Sequence, residues 1–171
     1  MSSVQHKYLI IDTSILCVWL KIPCRETCGS DNDRWDYDRV NSKINEELEN
    51  GTIFVLPLAS IIETGNHITH IQKGDKHDYA VALVDIINKS VDATSPWAAF
   101  SNQKDLWNSS GLQKLAKRWM QHVNILSLGD ASIVDVAEYF SQLGEVEILA
   151  GDQGLVAYQP QHAGYIPRRR Q

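Results

Sequence analysis

The stretch YLIID at positions 8–12 decides the fold class, because two further apolar runs end on an aspartate in the same way. These runs are ILSLGD at 125–130 and VEILAGD at 146–152. Each is short and rich in aliphatic side chains and is closed by a polar residue or glycine, which is typical of a buried strand. Residues just beyond the carboxyl ends of parallel strands line the ligand crevice of an open sheet. We therefore expect the three aspartates to converge.

A convergence of Asp12, Asp130 and Asp152 has a chemical consequence. Clustered carboxylates repel one another unless a cation neutralises their charge. Hard divalent ions prefer oxygen ligands of this kind. The pattern therefore predicts a divalent metal at the end of the sheet.

The order of the remaining elements favours an α/β fold. Helical periodicity or helix-terminal signals predict helices at 35–50, from Pro57 to about 72, at 76–91, at 112–119 and at 131–143. A further strand is expected at 53–56, whereas 21–34 and 92–111 have the composition of loops. Strands that alternate with helices predict a parallel sheet with helices on both faces.

Composition is that of a single globular domain. The chain has 171 residues, of which 43% are hydrophobic, enough for a proper core. A net charge of −5 argues against binding nucleic acid through bulk positive charge, but a nuclease carries local positive charge in its metals. No signal peptide and no apolar stretch of about 18 residues is visible, so we expect a cytoplasmic protein without a membrane segment.

The three cysteines, Cys17, Cys24 and Cys28, leave one alternative metal open. An odd number of cysteines without a secretion signal favours reduced thiols. Cys24 and Cys28 together with His6 or His67 would make a zinc site, but the spacing lacks a second ligand pair.

At Asp12-Thr13-Ser14 the chain resembles the opening of the PIN domain, a fold of metal-dependent nucleases. Glu63, in the segment LASIIE at 58–63, resembles the family's glutamate on the helix after the second strand. DASI at 130–133 resembles the family's Asp-Ala-x-Ile, and Asp152 follows a late strand as the last acid does. The resemblance covers about residues 7–158 and implies a PIN-like nuclease domain at 1–158, followed by a basic tail at 159–171.

The resemblance implies a three-layer α/β/α fold with a central, mainly parallel sheet. Asp12, Glu63, Asp130 and Asp152 would then be both the catalytic residues and the ligands of one or two Mg²⁺ or Mn²⁺ ions. Thr13 or Ser14 would orient Asp12 or a metal-bound water from a second shell. The implied reaction is hydrolysis of a phosphodiester by an endoribonuclease.

Each acid also has a structural interpretation. An aspartate after a strand is often a helix N-cap, and both Asp130 and Asp152 fit that role. Asp135 and Glu138 are interpreted as the solvated face of a helix. The chain departs from the family pattern in two ways that bear on substrate and partner. The segments 21–50 and 92–111 are longer than in the family's smallest members. Gly151 replaces the Ser, Thr or Arg often found before the last acid.

Candidate substrate contacts lie on two helices and in the tail. Lys114, Lys117 and Arg118 form the polar side of one helix and are candidates for phosphate binding. His67 shares the face of Glu63, and a role in capping or in an interface is the alternative. Stacking of bases on Trp97 competes with core packing, and the run of arginines at 168–170 is a candidate RNA-binding arm.

The expected partners are an RNA substrate, an antitoxin or other regulatory protein that restrains a toxin or defence nuclease, and a second copy in a homodimer. Three alternatives stay open. One is a non-catalytic PIN-like interaction module, and another is a nuclease acting on single-stranded or flapped DNA. The third, phosphotransfer on a haloacid-dehalogenase-like fold, needs a second aspartate where this chain has Ser14.

Overall fold

A computed structural model describes residues 5–161 of the chain. The strands are β1 (Lys7–Ile11), β2 (Cys28–Ser30), β3 (Asp33–Trp35), β4 (Ile53–Val55) and β5 (Glu145–Leu149). The helices are α1 (Thr13–Trp19), α2 (Tyr37–Glu49), α3 (Leu58–Thr69), α4 (Lys76–Val91), α5 (Ser109–His122), α6 (Leu128–Ser141) and α7 (Gln153–Val156), with a 3₁₀ helix at Phe100–Leu106. The mixed α/β class predicted from the sequence is confirmed.

The central sheet has three strands in the order β4-β1-β5, and both pairings are parallel. Ile10 of β1 lies opposite Val55 on one side and Ile148 on the other. Side chains of a strand alternate between the two faces of its sheet. Leu9 and Ile11 accordingly pack in one buried cluster with residues of α1, α2, α3 and α4, whereas Ile10 packs in another with residues of α6. Helices therefore cover both faces of the sheet.

The prediction of a strand at 125–128 is wrong. Ser127 begins α6 instead, because its hydroxyl accepts a hydrogen bond from the backbone N–H of Asp130 at 3.0 Å. Leu126 is buried, but Ile125 is 70% exposed and Leu128 is 48% exposed, so the run does not have the burial of a central strand. Asp130 consequently reaches the site from the first turn of a helix and not from a strand end.

The loop predicted at 21–34 contains regular structure. β2 and β3 pair as a short antiparallel hairpin, with Gly29 opposite Arg34. The hairpin lies over the turn between β5 and α7: a β-carbon on Gly151 would stand 2.7 Å from Cys28 Sγ and 2.8 Å from the backbone nitrogen of Gly29. The close approach accounts for the glycine that precedes Asp152.

Trp97 belongs to the core and not to a base-stacking surface. It is 6% exposed, and its ring meets that of Phe54 edge to face with centroids 5.6 Å apart. The arginines at 168–170 lie outside the described residues. Between residues 5 and 161, none of the helices combines the length and apolar character needed to cross a bilayer.

Candidate active site

Asp12 occupies the junction between β1 and α1. Its backbone N–H donates to the carbonyl of Leu149 at 3.0 Å, which extends the pairing of β1 with β5 by one residue. Its carboxylate caps α1: Oδ2 accepts from the backbone N–H of Ser14 at 3.1 Å and from the Ser14 hydroxyl at 2.6 Å. The side chain is therefore held in place at the carboxyl end of the central strand.

Ser14 connects Asp12 to the end of β5. The Ser14 hydroxyl donates to Asp12 and accepts from the backbone N–H of Gly151 at 3.0 Å. This hydroxyl donates one hydrogen bond and accepts another, and so joins Asp12 to Gly151, which are 139 positions apart in the chain. The orientation of Asp12 depends on this bridge.

Glu63 approaches the same place from α3. Its carboxylate accepts a hydrogen bond from the Thr13 hydroxyl at 3.0 Å. On its other side it lies against the start of α6, where a β-carbon on Gly129 would overlap Glu63 Oε1. Thr13 and Gly129 together fix the place of this half-buried carboxylate.

Asp130 lies in the first turn of α6, and Ser127, not Asp130, is the N-cap of that helix. The interpretation of Asp130 as a cap is therefore wrong. Its side chain is half-buried and contributes to the electrostatic environment of Asp12. An acid in the first turn is also favoured by the helix dipole.

These three acids line one cavity of about 220 Å³. They come from the end of β1, from α3 and from the start of α6, so that three separate parts of the chain supply them. The other residues of its wall are Thr13, Ser14, Cys17, Arg25, Thr27, Cys28 and His67. The cavity thus combines a carboxylate cluster with one arginine and one histidine.

Asp152 does not line this cavity. Its carboxylate caps α7 by accepting from the backbone N–H of Gly154 at 2.7 Å, and the side chain is exposed. It lines a neighbouring cavity together with Gly29, Ser30 and Gln153. Ser14 contributes to the walls of both cavities and so stands between Asp152 and the other acids.

Burial and charge shift the protonation of the site. Burial raises the pKa of Asp12, the hydrogen bonds from Ser14 partly oppose this, and the charge of Asp130 adds to the increase. Burial lowers the pKa of His67, and the positive charge of Arg25 lowers it further. A bound cation would offset the cost of ionising Asp12.

The donor set fits Mg²⁺ or Mn²⁺ in its chemistry. Carboxylate and hydroxyl oxygens are the ligands that such ions prefer, and Asp12, Glu63 and Asp130 all present oxygen. As the side chains stand, no three His, Cys, Asp or Glu residues within 5–161 are grouped closely enough to hold a metal ion. Binding by these acids would therefore require side-chain rotation or bridging waters, and the same finding gives the zinc alternative no support.

Two of the basic residues on α5 that were predicted to contact the substrate form ion pairs with acids of α6. Arg118 pairs with Asp135 at 2.6 Å and with Glu138, and Lys114 pairs with Glu138 at 3.2 Å. Asp135 is 4% exposed, so the interpretation of it as a solvated residue is wrong. Lys117 is exposed on the same helix.

Sequence reasoning missed Arg25 and Thr27 as residues of the cavity wall, and it considered Cys28 only as a zinc ligand. All three precede or begin the β2–β3 hairpin, which brings them over the end of β1. A stretch with the composition of a loop gives no periodic signal for such a placement. The glycine before Asp152 was a usable sign, since a missing side chain often marks a close approach of another backbone.

No protein-family model matches the chain, and comparisons with curated proteins and with solved structures find no match either.

Proposed function

We propose that this chain is a divalent-metal-dependent endoribonuclease with a PIN-like arrangement of acids. One observation carries the proposal: Asp12, Glu63 and Asp130, from three different elements, line one cavity at the carboxyl end of the central parallel strand. Ligand sites of open α/β sheets lie at that end. Asp152, in the adjoining cavity, is the outermost of the four acids.

The residues of the cavity divide the work of hydrolysis. A bound Mg²⁺ or Mn²⁺ ion supplies Lewis acidity and charge neutralisation at a phosphodiester. Asp12 and Glu63 would hold the ion, and Ser14 and Thr13 orient their carboxylates through the hydrogen bonds described above. Asp130 completes the set from α6. Water adds across the phosphorus–oxygen bond, so that one product carries a 5′-phosphate and the other a 3′-hydroxyl.

The test is cleavage of labelled RNA by the wild type and by Asp12→Asn, with Mn²⁺, Mg²⁺ or a chelator. Asparagine keeps the helix cap but removes the charge that holds the ion. We expect cleavage that requires the metal and is lost in the variant. A matched control is Asp75→Asn, which makes the same change at the N-cap of α4, outside both cavities of the site. Cleavage that survives in Asp12→Asn would overturn the proposal.

The absence of a ready-made metal group among residues 5–161 favours a second candidate, a non-catalytic interaction module that has kept the fold. It predicts no cleavage by the wild type with either metal. Single-stranded and flapped DNA carry the same phosphodiester, so they belong in the same assay as alternative substrates.

A ribonuclease that can cleave cellular RNA must be restrained in its cell, so we extend the proposal to a toxin or defence nuclease blocked by an antitoxin or another regulatory protein, and to a homodimer. Growth arrest on expression, relieved by Asp12→Asn, tests the catalytic toxin. Toxicity that Asp12→Asn leaves unchanged would contradict it.

A further inference from the structure

A second cavity, of about 300 Å³, adjoins the carboxylate cavity. Arg25 and His67 line both cavities, so the two adjoin at these side chains. The remaining wall consists of Pro23, Cys24, His70, Ile71, Gln72 and Lys73. We refer to this space as the Arg25–Lys73 cavity.

The wall of the Arg25–Lys73 cavity is basic. It contains an arginine, a lysine and two histidines, and it contains no carboxylate. Neither Arg25 nor Lys73 makes an ion pair with another residue of the part of the chain that the structure describes. His70 donates through Nδ1 to the carbonyl of Asn66 at 2.7 Å. The guanidinium of Arg25 and the ammonium of Lys73 suit an anion.

We propose that the Arg25–Lys73 cavity binds the nucleotide next to the scissile phosphodiester of a single-stranded RNA. Arg25 and Lys73 contact its phosphate, and Arg25 also faces the carboxylate cavity, where the bond is broken. This inference rests on the proposed function, because it names the substrate class of the same site.

The shape of the cavity favours an unpaired nucleotide. Pro23 and Ile71 give it an apolar part, against which a ribose or a base can lie. A base that turns into a cavity must leave its partner strand, and proteins recognise RNA sequence chiefly at such unpaired positions. The volume lies at the lower end of the range for small-ligand sites, about 300–1,000 Å³.

The location also agrees with the charges elsewhere. Arg118 and Lys114 of α5 are paired with acids of α6, whereas Arg25 lines the carboxylate cavity and has no ion-pair partner among the described residues. A phosphate that binds Arg25 would therefore displace only water from the guanidinium and would not have to break an existing ion pair. The Arg25–Lys73 cavity consequently offers less costly phosphate contacts than Arg118 does.

Binding can be measured without cleavage. The probe is a fluorescein-labelled single-stranded RNA in EDTA, followed by fluorescence anisotropy across a range of salt concentrations. For Arg25→Gln with Lys73→Gln we expect roughly tenfold weaker binding. The logarithm of the RNA association constant falls linearly with the logarithm of the salt concentration. This slope should become shallower by about 1.4 in the double variant, because each phosphate contact on a single strand contributes about 0.7. The matched control is Lys104→Gln, with one positive charge removed from the 3₁₀ helix, outside both cavities.

Cys24 gives a second, local readout. Its thiol lines the Arg25–Lys73 cavity and is exposed, whereas Cys17 is buried. We expect single-stranded RNA to slow alkylation of Cys24 by N-ethylmaleimide, as measured by mass spectrometry of the peptide that contains it. Duplex RNA of the same sequence should protect Cys24 much less.

The outcomes separate this inference from the proposed function. Cleavage by the wild type together with unchanged RNA binding in the double variant would overturn the inference and leave the nuclease standing. Weaker binding with Cys24 protection but no cleavage would support the RNA site and overturn the catalytic proposal. Failure of the wild type to bind the RNA, or equal protection by duplex, would overturn the inference.

Discussion

The carboxylate of Glu63 on α3 lies so close to Gly129 on α6 that there is no room for a β-carbon at residue 129. Gly129 has no positive φ that would require glycine, and it is the second residue of a helix. In a helix interior, glycine is less favourable than alanine by about 1 kcal/mol. The position of the Glu63 carboxylate therefore explains why residue 129 is a glycine, whereas helix propensity does not.

Gly129→Ala should separate activity from stability. The added methyl group moves the flexible end of Glu63, so we expect cleavage to fall on the order of 10- to 100-fold while the melting temperature stays the same or rises. The matched control is Gly65→Ala on α3, where an added β-carbon would meet only Leu83 Cδ2 at 4.0 Å. An equal loss of activity in both variants would show that displacement of Glu63 is not the cause.

Ser14→Ala removes the hydroxyl that joins Asp12 to Gly151. Loss of an oriented outer contact commonly weakens metal binding roughly 10- to 100-fold. The hydrogen bond from the Ser14 hydroxyl lowers the pKa of Asp12, so its loss raises that pKa further, although the backbone N–H at position 14 still donates to the carboxylate. The acid limb of the pH–rate profile should therefore move to higher pH.

The control for this variant is Ser141→Ala, whose hydroxyl donates to the Glu138 carbonyl at the far end of α6. It should change neither the metal affinity nor the pH profile. A profile of Ser14→Ala that coincides with that of the wild type would contradict the role of the bridge.

Asp12→Asn should stabilise the protein in the absence of metal. Burial raises the pKa of Asp12, so the folded chain holds this proton more tightly than the unfolded chain. Asp12 therefore lowers the free energy of unfolding as the pH rises above its ordinary pKa of 3.8. Thermal unfolding in EDTA should show a higher melting temperature for the variant at pH 7, by roughly 2–4 °C for each kcal/mol gained in the free energy of unfolding. The difference should vanish below the ordinary pKa, and a variant less stable at pH 7 would refute the argument.

Arg118→Gln distinguishes a structural ion pair from a substrate contact. It leaves Asp135, which is 4% exposed, without its cation, and breaking a buried pair costs about 3–5 kcal/mol. Urea denaturation should show this loss, and adding Asp135→Asn should recover part of it. Lys117→Gln, on the exposed side of the same helix, should leave stability unchanged. A stable Arg118→Gln protein with weaker RNA binding would restore Arg118 as a substrate contact.

Glu47 should set the acid limit of stability. It is 2% exposed and pairs with Lys7 and Lys43 at 2.6 and 2.7 Å. Burial acts to raise its pKa, but the hydrogen bonds from Lys43, Lys7 and Thr52 outweigh it and lower the pKa from 4.5 to about 2. The stabilisation, about 3 kcal/mol, is fully present above pH 4.5 and is lost as the pH falls through about 2.

Urea denaturation of Glu47→Gln checks this. The difference in the free energy of unfolding from the wild type should be largest above pH 4.5 and should shrink towards pH 2. Glu49→Gln removes an exposed carboxylate from the same helix and should have little effect at any pH. A difference for Glu47→Gln that does not vary with pH would contradict the charge argument.

Much of the fold could be predicted because local patterns and tertiary packing agree. The aliphatic runs at 8–11 and 146–149 form the paired strands β1 and β5, and the helical spacing at 76–91 gives α4 with the predicted bounds. At 125–128 the pattern misled, since a short apolar run does not by itself distinguish a strand from a helix entry. The sequence Ser127-Leu128-Gly129-Asp130 carried the better signal, a serine followed three residues later by an acid.

The acids of the candidate site could be predicted from the sequence, but other residues that line the cavity could not. Asp12 and Asp130 could be chosen because each follows an apolar run, and Glu63 because its segment resembles that of the PIN domain. Arg25 could not, because its place depends on the path of 21–34 over the sheet. Asp152 differs in this respect: it follows β5, and its interpretation as a helix N-cap is confirmed, because its carboxylate accepts from the backbone of α7.

The bridge from Asp12 through Ser14 to Gly151 has a consequence for synthesis on the ribosome. The acid at position 12 leaves the ribosome well before the amide at position 151 that holds its neighbouring hydroxyl, and β1 acquires its β5 partner only with residues 145–149. The nascent chain therefore completes the bridge only after residue 151 has emerged. A partner that must silence the cavity has no completed target before then, and a chain that stops before residue 151 lacks the bridge altogether.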